Sequence, residues 1–314
     1  MILNIVLLIL GFILLVKGAD FFVDGSSSVA RLLRIPSFIV GLTIVAFGTS
    51  APELSVSISA AMQGQNEIAI SNVLGSNIFN LMVVTGVCAV ISFVPVADNM
   101  RKHDFPLSIF AAILLLIFGL LGGEVLGISR YEGLILLALF IIYIALQIRS
   151  ALKSRADSEP DPIEKFISPG RSILLIIVGC VMIVYGGDFV VDSASAIAQA
   201  FGLTETLIGL TIVAIGTSLP ELVTSIVASR KHENDLAIGN VIGSNIFNIL
   251  MILGLSTSLN PVPLQTTAIF DCAVLIIFSI IVLIFCFTRS SISRREGIIM
   301  LGLYAIYDVY IILR

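Results

Sequence analysis

The sequence predicts an all-α membrane protein of ten transmembrane helices in two inverted five-helix repeats, and three observations lead there: composition, the placement of basic residues, and an internal duplication. Of the 314 residues, 58% are apolar and only 12% charged, with a mean hydropathy of +1.11. Soluble domains run at roughly 45–50% apolar and about 25% charged. This chain therefore carries more apolar surface than one water-soluble core can hide, and lipid is its natural solvent. A cytosolic enzyme and a secreted disulfide scaffold are excluded. A net charge of −4 with no Lys/Arg block leaves no footprint for a phosphate backbone, so nucleic acid is excluded as a partner. Cys88, Cys180, Cys272 and Cys286 all lie in apolar runs, where free cysteine acts as a small hydrophobe; neither a disulfide nor a metal cluster is expected.

A spanning helix needs about 20 mostly apolar residues. The stretches that qualify between polar or Pro/Gly-marked breaks are 1–22, 37–62, 68–93, 105–123, 130–149, 172–192, 205–229, 235–259, 267–288 and 296–313. The first lacks the basic start and small-residue cleavage site of a signal peptide and is expected to stay as a helix. The polar stretch from Lys153 to Arg171, with three prolines and both charge signs, divides five spans from five. The organisation is thus a first repeat over 1–150, a cytoplasmic linker over 151–171, and a second repeat over 172–314. Basic residues follow the odd-numbered spans: Lys17, Arg31 and Arg34; Arg101 and Lys102; Arg149, Lys153, Arg155, Lys165 and Arg171; Arg230 and Lys231; Arg289, Arg294 and Arg295. Of the 17, only Arg130 and Arg314 fall on the other side. Positive loops stay in the cytoplasm, which predicts a multi-pass cell-membrane protein with both termini outside and the central loop inside.

Residues 41–60, GLTIVAFGTSAPELSVSISA, recur at 209–228 as GLTIVAIGTSLPELVTSIVA, and AISNVLGSNIFN at 69–80 recurs at 237–248 as AIGNVIGSNIFN, each 168 residues on. The same offset carries Gly18, Asp20 and Asp24 onto Gly186, Asp188 and Asp192, so the duplication covers whole halves, roughly 1–146 on 169–314. Five spans per copy is an odd number, which turns the second copy upside down. Inverted repeats with discontinuous helices at the midplane are the architecture of many secondary transporters.

Small and hydroxyl residues also pack membrane helices, so GTS or GSN alone would be weak evidence. A glutamate deep in an apolar span of both copies is not explained that way, because intramembrane carboxylates are costly and line ion or substrate paths. Glu53 and Glu221 each follow a proline, Pro52 and Pro220, which breaks a helix interior. The break is expected to free carbonyls near Ala46 and Ala214 for a cation. Thr49 and Ser50 share a helix face with Glu53, as Thr217 and Ser218 do with Glu221. Ser76 with Asn80, and Ser244 with Asn248, are four apart in their own spans, which Gly75 and Gly243 are expected to loosen. Collected at the midplane, these are oxygen donors apart from the amide nitrogens. Such a set suits a hard cation such as Ca²⁺, and the lack of His and Cys disfavours zinc or copper. Two ionised glutamates balance one Ca²⁺, two Na⁺ or two protons, so charge alone leaves the driving ion open.

The pairing of GTSAPE and GTSLPE with two GSNIFN segments resembles the alpha repeats of the cation/calcium exchanger superfamily, especially prokaryotic sodium/calcium exchangers. The resemblance spans nearly the whole chain, with the motifs twice, in order and at matching spacing. It implies a ten-helix antiporter that exchanges Ca²⁺ for Na⁺ by alternating access, with the first and sixth helices sliding; H⁺/Ca²⁺ antiport is the alternative. It further implies Glu53 and Glu221 as the central Ca²⁺ ligands, shared with Na⁺. Thr49, Ser50, Thr217 and Ser218, with the carbonyls of Ala46 and Ala214, would complete the sites, and Ser76, Asn80, Ser244 and Asn248 would face the same cavity. Asn248 departs from the Asp usual in archaeal and potassium-dependent members, which argues against potassium dependence. The short central loop lacks the regulatory calcium-binding domains of animal exchangers.

No enzymatic activity, no cofactor beyond the transported ions, and no obligatory protein partner are expected. The GGD at 186–188 and YD at 307–308 have the wrong order and flanks for an intramembrane aspartyl protease, and His103 and His232 lie in loops, away from a serine nucleophile. A phosphate loop for an ATP-driven pump is missing. A passive Ca²⁺ channel is open on ligands alone and is separated by counter-transport. Asp20 with Asp24, and Asp188 with Asp192, fall near opposite membrane faces, where they either draw cations to the mouths or solvate helix ends.

Overall fold

The computed structural model describes residues 1–121, 126–157, 167–202, 212 and 214–313. The helices are α1 Ile2–Leu33, α2 Ser37–Thr49, α3 Ala51–Met62, α4 Glu67–Ile91, α5 Met100–Leu121 and α6 Arg130–Ala156, followed by α7 Pro169–Ala200, α8 Ala214–Thr217, α9 Leu219–Arg230, α10 Asn234–Leu259, α11 Thr266–Arg289 and α12 Arg294–Leu313. Among the described residues, 8 helices are long and apolar enough to cross a membrane, and α2 with α3, bent by 50°, brings the number to 9. The seventh expected span, 205–229, lies partly outside the described residues; Ala214–Thr217 and Leu219–Arg230 are the part that is seen. The linker expected over 151–171 is helical at both of its ends. Helix α6 continues through Lys153 and Arg155, α7 begins at Pro169, and residues 158–166 lie outside the described set.

Helices α1 and α7 overrun their expected spans, 1–22 and 172–192. Each has 32 residues, about 48 Å at 1.5 Å per residue, against a hydrocarbon core of roughly 30 Å. The C-terminal half of α1 carries polar residues that find partners. Lys231 Nζ lies 2.8 Å from an Asp20 carboxylate oxygen and 2.7 Å from one of Asp24, and Ser172 Oγ donates to Ser28 Oγ at 2.8 Å. The helix stops at Arg34, whose φ of 55° is left-handed, just before Ile35–Pro36, where the proline forbids a further turn.

The two long helices pack antiparallel through small residues. Gly11 meets Gly186, Gly18 meets Gly179, and Gly25 meets Ser172, the partner number falling as the first rises. A Cβ on Gly179 would sit 2.6 Å from Phe22 N, so only glycine permits this approach, the usual device of membrane helix pairs. Helices α4 and α10 are the innermost, and most of their side chains are buried. Two short antiparallel ladders tie the halves: β1 Val94–Pro95 with β4 Ser291–Ile292, and β2 Gly127–Ile128 with β3 Val262–Pro263.

Candidate cation site

Each broken helix creates a helix N-terminus inside the protein. Ser50 (φ −84°, ψ 12°) separates α2 from α3, and Ser218 (φ −92°, ψ 5°) separates α8 from α9. Pro52 and Pro220 fall in the first turn of the second segment, where a missing N–H costs nothing. Glu53 and Glu221 share that first turn, at the positive end of the helix dipole. The chain thus provides a local electrostatic reason for tolerating a buried carboxylate at each position, and both are fully buried.

The two carboxylates are held crosswise. Ser50 Oγ donates to Glu221 Oε1 at 2.8 Å, and Ser218 Oγ donates to Glu53 Oε1 at 3.3 Å. Ser76 Oγ donates to the same Glu53 oxygen at 3.3 Å, and Ser244 and Thr49 stand beside Glu221. The second oxygen of each carboxylate, Oε2, is buried with no hydrogen-bond partner, as are both polar atoms of Asn80 and the Asn248 Oδ1. Buried polar atoms are normally satisfied, and here unpartnered oxygens are concentrated around two negative groups. That donor set suits a hard cation.

Not every expected residue behaves as its spacing implied. Ala46 O is not freed by the break: it accepts the Ser50 amide at 3.0 Å and the Thr49 hydroxyl at 3.5 Å. The carbonyl that Pro52 leaves without an amide four residues on is that of Gly48, and the Cys180 thiol caps it at 3.7 Å. In the second half the Ser218 amide donates to Ile215 O at 3.1 Å, so the two breaks are not identical; Ala214 opens α8. Thr217 is partly exposed, whereas Thr49 is buried and donates to Val45 O at 3.1 Å and Asn240 Oδ1 at 3.0 Å. The inner helices loosen not at Gly75 and Gly243 but at wide π-helical turns, Asn80–Val84 and Asn248–Leu253, each opening on the site asparagine itself. Gly243 serves packing, since a Cβ there would lie 2.6 Å from Leu42 Cα.

Further residues hold the site together. Asn77 Nδ2 donates to Asn245 O and Asn245 Nδ2 to Asn77 O, both at 3.1 Å, a reciprocal clasp between α4 and α10. Asn72 Nδ2 donates to Ser57 Oγ, and Asn240 Nδ2 to Ser225 Oγ, both at 3.0 Å. All four asparagines lie inside the duplicated segments 69–80 and 237–248, so their repetition was the available signal. Asn248 Nδ2 donates to Asn77 Oδ1 at 2.9 Å; a carboxylate at 248 has no proton to give there, which explains an amide at this position. Of the other acidic residues, Asp20 and Asp24 are tied to Lys231, while Asp188 and Asp192 are exposed.

A family model described as sodium/calcium exchanger protein matches residues 3–149 and 171–313. The sodium/calcium exchanger MaX1 of Methanosarcina acetivorans is 35% identical over 98% of this chain and 97% of its own. The putative antiporter CaxA of Alkalimonas amylolytica is 40% identical over 82% of this chain and 81% of its own. A solved structure of the sodium-calcium exchanger NCX_Mj, soaked with 2.5 mM Na⁺ and 1 mM Sr²⁺, superposes with a TM-score of 0.86 at 34% identity, covering 98% of both chains. On the match of both halves to that family, the chain belongs to the sodium/calcium exchanger family.

Proposed function

We propose that this protein is a secondary antiporter that exchanges Ca²⁺ for Na⁺ across the cell membrane by alternating access at a midplane site centred on Glu53 and Glu221. The observation that carries the reading is the crosswise pair: each glutamate is fixed through one oxygen by a serine of the other half, and its second oxygen is bare. Two buried anions at low dielectric are strongly destabilising without a counter-charge, and one Ca²⁺ or two Na⁺ supplies it. Thr49, Ser50, Ser76, Asn80 and their counterparts Thr217, Ser218, Ser244 and Asn248, with the carbonyl of Ala214, which the Ser218 amide leaves for that of Ile215, provide the neutral oxygens of the cation sites.

The two halves are inverted repeats in this reading. Support comes from the antiparallel pairing of α1 with α7 and from ladders that exchange places when the halves do, β1 with β4 becoming β3 with β2. Both termini face outside and the central loop is cytoplasmic, as the basic residues require. A cysteine introduced at Ser158 is then labelled only from the cytoplasm and one at Gln63 only from outside; labelling of both from one side would break the inverted arrangement.

The function is tested by Ca²⁺ flux in proteoliposomes with Na⁺ and pH gradients imposed separately at clamped voltage. Exchange predicts Ca²⁺ uptake driven by an outward Na⁺ gradient, with no need for K⁺ and with stalling when no ion is present on the far side. Uptake that follows pH and ignores Na⁺ would assign the protein to H⁺/Ca²⁺ antiport instead, and flux without any counter-ion would make it a channel.

A further inference from the structure

A second polar cluster lies outside the cation site, between the start of α5 and the end of α6. A cavity of about 530 Å³ opens there. Three of its lining residues, Asp104, Tyr143 and Gln147, are 3%, 3% and 6% exposed. Gln147 Nε2 donates to Asp104 Oδ1 at 2.6 Å, which joins α6 to α5. That bond leaves Asp104 Oδ2, Gln147 Oε1 and the Tyr143 hydroxyl buried with no hydrogen-bond partner. Tyr143 and Gln147 are one helical turn apart and share a face of α6. Two of the three atoms are pure acceptors, and one belongs to a carboxylate. The cluster therefore lacks a positively charged group bearing several N–H donors.

The rest of the cavity has a different character. Its wall includes Leu107, Phe110 and Leu146, and the last two are 50% and 56% exposed. Its mouth carries Lys102 and His103. Lys102 pairs with Asp98 at 2.9 Å, and Arg101 pairs with the same carboxylate. The Lys102 ammonium and the Arg101 guanidinium hold Asp98 below the usual carboxylate range. Two cations sharing one anion leave a net positive charge at the rim.

From inside to outside the order is thus bare acceptors with a carboxylate, then a cationic rim, with an apolar wall alongside. We propose that this cavity binds a phospholipid with a primary ammonium headgroup, the ammonium donating to Asp104, Gln147 and Tyr143, the phosphate lying against Lys102 and His103, and an acyl chain following Phe110 and Leu146. Three N–H donors match three unpartnered oxygens, whereas a quaternary choline has none to give. Charge-assisted hydrogen bonds are about twice as strong as neutral ones, so the preference is carried by Asp104. The proposal rests on these helices facing lipid and is independent of which ion is exchanged.

The test is native mass spectrometry of the full-length protein released from mixed micelles holding equal amounts of dioleoyl-phosphatidylethanolamine and dioleoyl-phosphatidylcholine, a readout that does not involve transport. The wild type is expected to retain the ethanolamine lipid over the choline lipid by about tenfold, as one charge-assisted contact supplies. Asp104→Asn, which keeps the shape and loses the charge, brings the ratio close to one, and Tyr143→Phe gives an intermediate value. Equal retention by the wild type, or an unchanged preference in Asp104→Asn, overturns the proposal. So does thermal stabilisation of lipid-free wild type by NaCl or KCl that vanishes in Asp104→Asn, since the occupant would then be an inorganic cation.

Discussion

The centre of the molecule and its rims treat the duplication differently. At the centre the halves exchange like for like: Ser50 on Glu221 and Ser218 on Glu53, Asn77 on Asn245 and the reverse. At the rim the correspondence fails. The turn after α9 carries Lys231 and Glu233, and these bind Asp20 and Asp24 of α1, and Arg31 of α1, at 2.8, 2.7 and 3.1 Å. Moved back by 168 residues, the same two positions are Gln63 and Gln65, and Gln63 turns to its own helix, bonding Ser59 Oγ at 3.0 Å. At the centre the serine and asparagine bonds between halves run in both directions, although Thr49 is buried where Thr217 is partly exposed, and Asn248 bonds Asn77 while Asn80 makes no such bond to Asn245. Nothing demands equality of the two rims, and one end of α1 is tied where the matching end of α7 carries the exposed Asp188 and Asp192.

The largest effect is expected at the centre. Glu53→Gln or Glu221→Gln removes one of two charges facing a dehydrated cation, and removing one partner of a buried ion pair costs on the order of 3–5 kcal/mol. Ca²⁺ flux in proteoliposomes is expected to fall by at least about 100-fold in each variant, with the protein still folded by size exclusion. A large loss in one variant and near-normal flux in the other would break the equivalence of the halves.

An intermediate effect is expected at Asn248. Asn248→Asp turns a donor facing Asn77 Oδ1 into a second acceptor, leaving an unmade buried hydrogen bond worth roughly 1–3 kcal/mol. In buffer free of Na⁺ and Ca²⁺ the melting temperature should drop by a few degrees, and Ca²⁺ should restore more of it than in the parent. An unchanged melting temperature would show that the asparagine pair does not hold the inner helices together.

The smallest effect belongs to the rim. Lys231→Gln makes the turn after α9 resemble the one after α3, and partly exposed ion pairs are worth about 1 kcal/mol or less each. The expected outcome is a change of up to about fivefold in the ratio of Ca²⁺ affinities measured at the two faces of oriented vesicles, with Gln63→Lys moving that ratio the other way. Burial pulls the Lys231 ammonium down, but hydrogen bonds to Asp20 and Asp24 more than offset it, and its pKa stands above the usual lysine value. The tie is therefore fully present below about pH 10.4 and fades only as pH rises through the raised value. The effect of Lys231→Gln should accordingly be flat from about pH 6 to pH 9; a strong dependence in that window would point to another group.

The legible parts of this molecule are those where a residue contradicts its surroundings. Glu53 and Glu221 stand out because carboxylates are expensive in apolar spans, and Pro52 and Pro220 announce breaks because they cannot donate. The wide turns at Asn80 and Asn248 leave no such trace, since neither asparagine is a strong helix breaker. The carbonyl left without its amide is not legible at Ala46, because Ser50 still closes a turn on Ala46 and the loss falls on Gly48. The length of α1 is hidden in the sequence because Asp20 and Asp24 look like an end until Lys231, distant in sequence, is brought beside them.

The central claim is that the bare oxygens of Glu53 and Glu221 receive the transported cation together. Crystals of the wild type grown in Ca²⁺ and measured for anomalous scattering test it directly. The account predicts one strong peak between the two carboxylates, at roughly 2.3–2.6 Å from oxygen ligands that include both glutamates, and its loss after exchange into Ca²⁺-free buffer. A peak bound by only one of the two, or one lying at a rim while the pair stays empty, would contradict it.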